Sequence, residues 1–499
     1  MKVLLINPPH ISIGSRIPDD HLPPLGLLSI GGPLLDDGHE VILLDADFDN
    51  LPVKVILERT LLHEPDAVLL GHSGSTSAQP VISEITKKLR NLMPAVKIII
   101  GGVFPTYHWK EILETDPQID VTVCGEGEET IRHLVRALEN NTDLGNVKGI
   151  AFLKDNVPLK TAPQTLIRNL NDYRIGWELM GPYKYSYWGK KPAVVVQFSR
   201  GCPYPCTYCG QSLFWQKWRH RDPKKFVEDL KMLKRVYGIR VINFADENPT
   251  TSKKAWKEFL EELIAADLNL ILVASTRADN IVRDADILHL YKKAGFERFL
   301  LGMENYDEEN LKMIQKAGTT AKDREAIRLL RKHNILSMAT YVVGFSEEKA
   351  SDYFKSLKHL ISYDPDQVQM LYVTPHRWTP FYLSVKDKKI IQPDQRKWDY
   401  KHQVIETKHL RPWMVILFVK FMEVIMQLRP KALKRRFFHP DLRIRDAQAW
   451  YYQMGKRVWF REVLHFIFRD KILKEGPSVR EFWEGSSLAT LGIINSTIK

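Results

Sequence analysis

The sequence predicts an α/β chain in three parts: an N-terminal Rossmann-like domain, a central (β/α)6 partial barrel and a helical C-terminal region. Three observations carry this. The first 140 residues alternate short runs of Val, Ile and Leu with helical periodicity, as strands of a parallel sheet covered on both faces do. A second βα series begins near residue 190 and runs through six units without a further switch in pattern. From about residue 390 the strand signal stops, and the chain turns helical, aromatic and basic.

Length and composition agree. At about 150 residues per domain, 499 residues make about three domains, divided here as 1–140, a linker 141–187, 188–390 and 391–499. Hydrophobic residues at 44% and charged residues at 26% are ordinary for a globular protein and exclude disorder, collagen-like repeats and a disulfide scaffold. Only four cysteines occur, Cys124, Cys202, Cys206 and Cys209, three of them within eight residues. That clustering points to a metal site in a reducing compartment. The apolar run after Lys2 ends at Ile6, too short for a secretory core. Trp413–Leu428 contains Lys420 and Glu423, short of the about 20 apolar residues a spanning helix needs. A cytoplasmic protein is expected.

In the first domain the expected strands are Lys2–Asn7, Glu40–Asp45, Ala67–Gly71, Lys97–Gly101 and Val121–Cys124, with helices over Val81–Leu92 and Glu129–Glu139. Several strands run into small residues: Gly71-His72-Ser73-Gly74-Ser75, Gly101-Gly102 and Gly125-Glu126-Gly127-Glu128. Open α/β sheets bind ligands at such carboxyl ends, where backbone must approach closely. Ser73, Ser75, Thr76, Gly101, Gly102, Gly125 and Glu126 are the candidate contacts for a broad ligand. Cys124 reads as a small buried hydrophobe. The barrel strands are expected at Ala193–Phe198, Val241–Ala245, Leu270–Ser275, Phe299–Gly302, Met338–Val343 and Gln367–Thr374, separated by helices such as Pro223–Val236, Lys254–Ala266 and Asp284–Ala294. Functional residues should follow these strands.

Directly after the first barrel strand stands Cys202-Pro-Tyr-Pro-Cys206-Thr-Tyr-Cys209. Zinc sites generally present four ligands in pairs, and no fourth thiol or paired histidine lies nearby in the sequence. Iron–sulfur cubanes are held by thiolates, normally four, so three leave one iron open. A degenerate zinc knuckle or buried cysteines are the plainer alternatives. The C-x3-C-x2-C spacing, Tyr208 before the last cysteine and the place after strand one resemble the radical S-adenosylmethionine (SAM) superfamily. The resemblance implies a [4Fe-4S] cluster on Cys202, Cys206 and Cys209. Its open iron chelates SAM and reductively cleaves it to a 5′-deoxyadenosyl radical. SAM would then lie against Tyr208, Asp246, Glu247, Arg277 and Glu304. Carboxylates at these strand ends suit its ammonium, and Arg277 suits its carboxylate, though each could equally be a solvated loop charge.

A Rossmann-like domain ahead of such a barrel resembles the cobalamin-binding class of that superfamily, through Asn7-Pro8-Pro9, Pro24-Leu25-Gly26, Gly101-Gly102 and Gly125–Glu128. Many cobalamin proteins carry D-x-H-x-x-G. Here Asp19-Asp20-His21-Leu22-Pro23-Pro24 has Pro24 where Gly is required, so cobalamin is expected without a histidine lower ligand, and His21 reads as a loop residue.

Longer stretches resemble the family of anaerobic magnesium-protoporphyrin IX monomethyl ester oxidative cyclases of bacteriochlorophyll biosynthesis in photosynthesis. They are 196–201, 218–223, Ala245-Asp246-Glu247-Asn248-Pro249-Thr250, Ser275-Thr276-Arg277-Ala278-Asp279 and 374–380, and the likeness runs to about residue 470. It implies oxygen-independent closure of the isocyclic ring, with the keto oxygen from water, giving 3,8-divinyl protochlorophyllide. It also implies cobalamin as electron acceptor, a magnesium porphyrin substrate and a reduced ferredoxin- or flavodoxin-type donor. For a flat apolar disc with carboxyl groups on its rim, His376, Arg377 and Trp378 offer a magnesium ligand, a cation and an aromatic face. Phe214, Trp215 and Trp218 offer more flat surface, and core packing is the plain alternative for both groups.

The net charge of +12 sits mostly at the end: Arg429 to Arg461 hold ten Lys or Arg against Asp441 and Asp446. A solvated helical face comes first as an explanation, then a peripheral contact with an anionic membrane. Nucleic acid comes last. Two other functions stay open: a cobalamin-dependent radical SAM methyltransferase acting on a tetrapyrrole or lipid, and a cobalamin-binding regulatory protein on nucleic acid.

Overall fold

The computed structural model describes residues 1–10, 19–71, 76–316 and 318–485; the candidate contacts Ser73 and Ser75 lie outside them. The first domain alternates β1 (Lys2–Asn7), α1 (Leu25–Asp36), β2 (Glu40–Asp45), α2 (Val53–His63), β3 (Ala67–Gly71), α3 (Gln79–Leu92), β4 (Lys97–Gly101), α4 (Val103–Thr115), β5 (Val121–Val123) and α5 (Gly127–Glu139). Val3, Leu4, Leu5 and Ile6 of β1 are all fully buried, as a central strand covered on both faces requires. α5 turns Ile131, Leu134 and Val135 inward, and Glu128 and Glu129 in its first turn complement the helix dipole.

The segment expected as a linker contributes β6 (Ile150–Lys154) and β7 (Val157–Lys160), an antiparallel hairpin that extends the sheet to the order β2-β1-β3-β4-β5-β6-β7. Its turn residues Asp155 and Asn156 both have positive φ, 51° and 63°, the two-residue hairpin geometry whose twist matches the strands.

The second sheet begins with β8 (Ser186–Tyr187) and β9 (Lys191–Val196). The short β10 (Ser199–Arg200), α6 (Ser212–Trp215) and β11 (Arg219–His220) follow. Then come α7 (Pro223–Tyr237), β12 (Val241–Phe244), α8 (Lys253–Ala266), β13 (Ile271–Thr276), α9 (Ala278–Arg283), α10 (Leu288–Ala294) and β14 (Phe296–Glu304). The series ends with α11 (Glu308–Met313), α12 (Thr320–Lys332), β15 (Leu336–Val343), α13 (Ala350–Tyr363) and β16 (Gln367–Tyr372). Six strands run parallel in the order β16-β15-β14-β13-β12-β9, and β8 pairs antiparallel at the edge, so the barrel stays open. Local signals place its helices. Asp222 caps α7 by accepting from Lys225 N–H, Pro223 follows it, and Gly238 ends the helix at φ 65°. Phe198, Phe226, Trp256, Phe259 and Phe296 form the aromatic layer between sheet and helices.

After α14 (Pro380–Val385), the helices α15 (Pro412–Leu428), α16 (Pro430–Phe438) and α17 (Leu442–Phe468) pack against the open barrel, and α18 (Val479–Glu484) ends the described chain. Tyr451 of α17 stitches onto the edge strand, its hydroxyl donating to Val368 O and accepting from Val368 N–H at 3.1 Å. Arg429 and Arg435 meet Asp364, and Arg435 also meets Asp366 at 2.9 Å. With Arg443 on Glu297 and Arg457 on Asp19, four of the ten C-terminal cations serve ion pairs that dock these helices.

Candidate active site

Gly201, at φ 90°, turns the chain from β10 into the cysteine loop; a Cβ there would meet Lys217 O at 2.6 Å, so glycine is needed for both conformation and space. Cys202, Cys206 and Cys209 are half-buried on this loop. Thr207 anchors it twice, donating its N–H to Ile314 O and accepting from Phe381 N–H, both at 3.0 Å. Burial pushes the Cys202 thiol up, and the neighbouring Cys206 adds to the rise, a cost that an iron ligand removes by holding the sulfur as thiolate. Among the described residues no three thiol, imidazole or carboxylate groups converge on one point. A closed zinc site takes four protein ligands, whereas a cubane held by three thiolates keeps one iron open, and the loop offers three thiols. The donor set fits a cluster.

The strand-end residues divide. Glu304 closes β14 at φ 63°, a left-handed conformation rare outside glycine. It is buried beside Lys316 at 3.3 Å, and its carboxylate accepts from Tyr208 of the cysteine loop. Burial first, then Glu304 and the nearby thiols, push the Tyr208 hydroxyl well up, so it stays a donor. Gly302 makes room: a Cβ there would meet Glu304 Oε1 at 2.5 Å and Lys316 Nζ at 2.7 Å.

Arg277 is buried, stacks 3.6 Å from the Tyr204 ring centroid and donates Nε to Asp279 Oδ1 at 2.9 Å. Asp246 is turned inward instead. Its Oδ2 accepts from Phe198 N–H at 3.0 Å, and its Oδ1 takes the Ser199 hydroxyl at 2.6 Å and the Ser199 N–H. It holds the bend that launches the cysteine loop. Burial pushes its carboxyl up to about 7 against the pull of these donors. Burial and the neighbouring Asp246 likewise push half-buried Glu247 up to about 7.

The sequence reading places Asn248 after a strand with Asp246-Glu247 but gives it no role. Its Oδ1 collects Thr276 Oγ1 at 3.2 Å and Asn280 Nδ2 at 3.0 Å, tying the ends of β12 and β13 to α9, while its Nδ2 is buried without a partner. The only prior signal was its place beside Asp246-Glu247.

At the carboxyl ends of the first sheet, Gly101 ends β4, Gly102 precedes α4 at φ 112°, and Gly125 follows β5 at φ 91°. A Cβ on Gly125 would meet nothing within 4 Å, and Gly125 N–H is held on Thr106 Oγ1 at 2.9 Å. This bare backbone facing open space suits a broad, polar-edged ligand. Glu126 faces away from it. Its carboxylate meets Arg200 and Arg219 of the barrel, each at 2.9 Å, and accepts from Ile167 N–H at 2.9 Å. Glu128 pairs with Arg200 as well. His21 sits 3.6 Å from Asp47 and 3.8 Å from Asp45, stacked near Tyr185.

Thr76, His376, Arg377 and Trp378 come together in the contact between the two sheets. Thr76 Oγ1 lies 3.0 Å from His376 Nδ1, Trp378 stacks on Tyr107 at 5.8 Å, and Arg377 pairs with Glu111. His376 is fully buried, which pushes its imidazole down to about 3 and keeps it neutral. Phe214 and Trp378 belong to the buried cluster under the cysteine loop.

The open space lies elsewhere. A cavity of about 520 Å³ occupies the concave side of the barrel, walled by Asn243, Ser275, Leu300, Met338 and Gln369 of β12 to β16. Tyr451, Tyr452, Met454 and Trp459 of α17 close it. Ser275 and Arg277 are two residues apart, on the same face of one extended segment and about 7 Å from each other. The chamber therefore runs inside the barrel from the starts of β14 and β16, at Arg298 and Val368, to the carboxyl end of β13 at Ser275.

Residues 17–135 match the family model described as a B12 binding domain, and residues 196–360 match the radical SAM superfamily. The chain is 55% identical over 483 residues to the anaerobic magnesium-protoporphyrin IX monomethyl ester cyclase of Synechocystis sp., covering 97% of each protein. It is 31% identical to the protein of that name from Rubrivivax gelatinosus, over 78% of this chain and 70% of the relative. The chain belongs to the anaerobic magnesium-protoporphyrin IX monomethyl ester cyclase family. Its fold matches that of the radical SAM methyltransferase TsrM from Kitasatospora setae, at TM-score 0.69 and 16% identity over 94% of this chain and 99% of that one. The two domains imply cobalamin, a [4Fe-4S] cluster and SAM as cofactors. The glycine-lined strand ends and the three-thiol loop are where this cyclase-family chain offers the matching chemistry.

Proposed function

We propose that this chain closes the isocyclic ring of magnesium-protoporphyrin IX 13-monomethyl ester without molecular oxygen, giving 3,8-divinyl protochlorophyllide. One observation carries the reading: a largely apolar chamber of about 520 Å³ inside the barrel, whose wall reaches Ser275 two residues before Arg277, in a chain of the cyclase family. Its size is that of a cofactor-class pocket, about 300–1,000 Å³. The reaction adds one oxygen from water and removes four hydrogens, so six electrons leave the substrate, with four protons released from it and two from the water. The bound cluster and SAM would supply the hydrogen-abstracting radical, and cobalamin an electron acceptor. The chain's own part is placement. Cys202, Cys206 and Cys209 hold the cluster. Tyr208, Glu304 and Arg277 line the SAM side, with Lys316 and Asp279 fixing their orientation. Asp246 and Glu247 shape the loop from below, and Gly101, Gly102 and Gly125 form the cobalamin cradle. The chamber excludes bulk water from a reactive carbon.

The reductant is a ferredoxin- or flavodoxin-type protein in the cytoplasm, where thiols stay reduced. No helix of the described residues is long and apolar enough to cross a membrane. Exposed Trp413, Leu417 and Phe421 of α15, with Phe437, Phe438 and Phe468 further on, lie among cations and support a peripheral contact with anionic lipid. Anaerobic turnover with reconstituted cofactors tests the reaction by product mass. A product carrying one added CH2 would instead establish a methyltransferase, and no deoxyadenosine would remove radical chemistry altogether.

A further inference from the structure

Among the described residues, one cation of the chamber wall is buried to 7% exposure without an ion pair. Arg298, near the start of β14, is only 7% exposed and lines the cavity. Its Nη2 donates to Tyr187 Oη at 2.9 Å, and its Nε is buried without a partner. The guanidinium lies 5.0 Å from the Trp188 ring centroid and 5.8 Å from that of Tyr187. The carboxylates around it are engaged elsewhere. Glu297, one residue earlier and on the opposite face of the strand, meets Lys292 at 2.7 Å and Arg443 at 3.7 Å. Glu423, in the same chamber wall, meets Lys420 at 2.7 Å. Among the described residues Arg298 makes no ion pair.

A buried guanidinium without an anion is costly, and stacking on aromatic rings recovers only part of that cost. A ligand that brings its own carboxylate into the chamber removes the deficit. The other cavity cations are less demanding: Lys401 Nζ already donates to Met370 O at 2.7 Å, and Lys456 is exposed at the rim.

Building on the cyclase reading, we infer that Arg298 is the anchor for the free propionate of the substrate, and that it selects the monomethyl ester over the dimethyl ester. A flat apolar molecule with one ionised carboxyl group matches a chamber with apolar walls and one unpaired buried cation. The dimethyl ester fills the same space but leaves the guanidinium unpaired. Arginine suits the role because its planar fork takes both carboxylate oxygens at once.

The test measures binding of magnesium-protoporphyrin IX monomethyl and dimethyl esters to the full-length chain, by the Soret shift and fluorescence quenching at fixed detergent concentration. Wild type is expected to prefer the monoester by about 10- to 100-fold, the range of a charge-assisted buried pair. Arg298→Met keeps the apolar stem, and its preference is expected to fall to near unity through loss of monoester affinity. Arg298→Lys is expected to keep part of the preference, which separates a lost charge from a damaged wall. Equal binding of both esters by wild type would overturn the role of Arg298 and leave the chamber reading standing. A preference that survives Arg298→Met would do the same. Failure of either ester to bind would overturn the chamber reading itself.

Discussion

Glu126→Gln tests the joint between the two sheets. The Glu126 carboxylate is 3% exposed, and within 3.1 Å it accepts from Arg200 Nη1, Arg219 Nη1 and Ile167 N–H. Burial alone would push this carboxyl up; Arg219 and Arg200 outweigh burial and hold it below its ordinary value. Glutamine keeps one acceptor but removes the charge, leaving Arg219 without its carboxylate and Arg200 with Glu128 only. Breaking a buried pair from one side costs about 3–5 kcal/mol. Because Arg200 retains one partner, we expect about 3 kcal/mol, close to a hundredfold rise in the open population. A 499-residue chain with two sheets does not unfold in one two-state step, so the local opening of the joint is the quantity to measure. The assay is hydrogen exchange at the Ile167 amide and the β10–β11 pair, with limited proteolysis of 161–176. A folded-state pKa below the unfolded one means the stabilisation is fully present above about pH 4.5 and is lost as pH falls through the folded value. The variant should therefore lose its difference from wild type in acid. A change under threefold at pH 7, or one independent of pH, would refute the reasoning.

Other outcomes follow from the same geometry. Cys206→Ala should abolish the cluster's visible absorbance and deoxyadenosine formation while far-ultraviolet circular dichroism stays unchanged; a cluster that still assembles would displace the assignment. Gly201→Ala forces a side chain into φ 90° and against Lys217 O, so iron content after reconstitution should fall severalfold, for a strain of about 1–3 kcal/mol. Burial raises the Asp364 carboxyl, but Arg435 and Arg429 overcome this and hold it at about 2. Its contribution of ~2 kcal/mol is present above pH 4 and disappears toward pH 2. Exchange protection of α16 and α17 should fall over that window, and Arg435→Met should shift the loss upward.

The regular part of the fold was legible because buried parallel strands write themselves as apolar runs: β1, β2, β3 and β4 fall on the expected residues. β14 reads shorter than it is because Glu297 and Arg298 interrupt the apolar pattern, though both are buried. The β6–β7 hairpin escaped notice because β7 is mostly exposed and carries no apolar run; Asp155-Asn156 was its one signal. Site residues were legible as types and places, and less so as roles. Glu126, Asp246 and Arg377 each stand after a strand as expected, yet their partners, Arg200, Ser199 and Glu111, lie 74, 47 and 266 residues away. Spacing cannot show such pairings. The chamber was invisible for the same reason, since its wall combines five strands with helices more than 50 residues further on.

The most direct test of the central claim is anaerobic turnover of magnesium-protoporphyrin IX monomethyl ester in ¹⁸O-labelled water. The account predicts a ring-closed product with one labelled keto oxygen, formed together with deoxyadenosine and absent with Cys206→Ala. A product without the label, or a methylated porphyrin with its propionate ester chain intact, would contradict it.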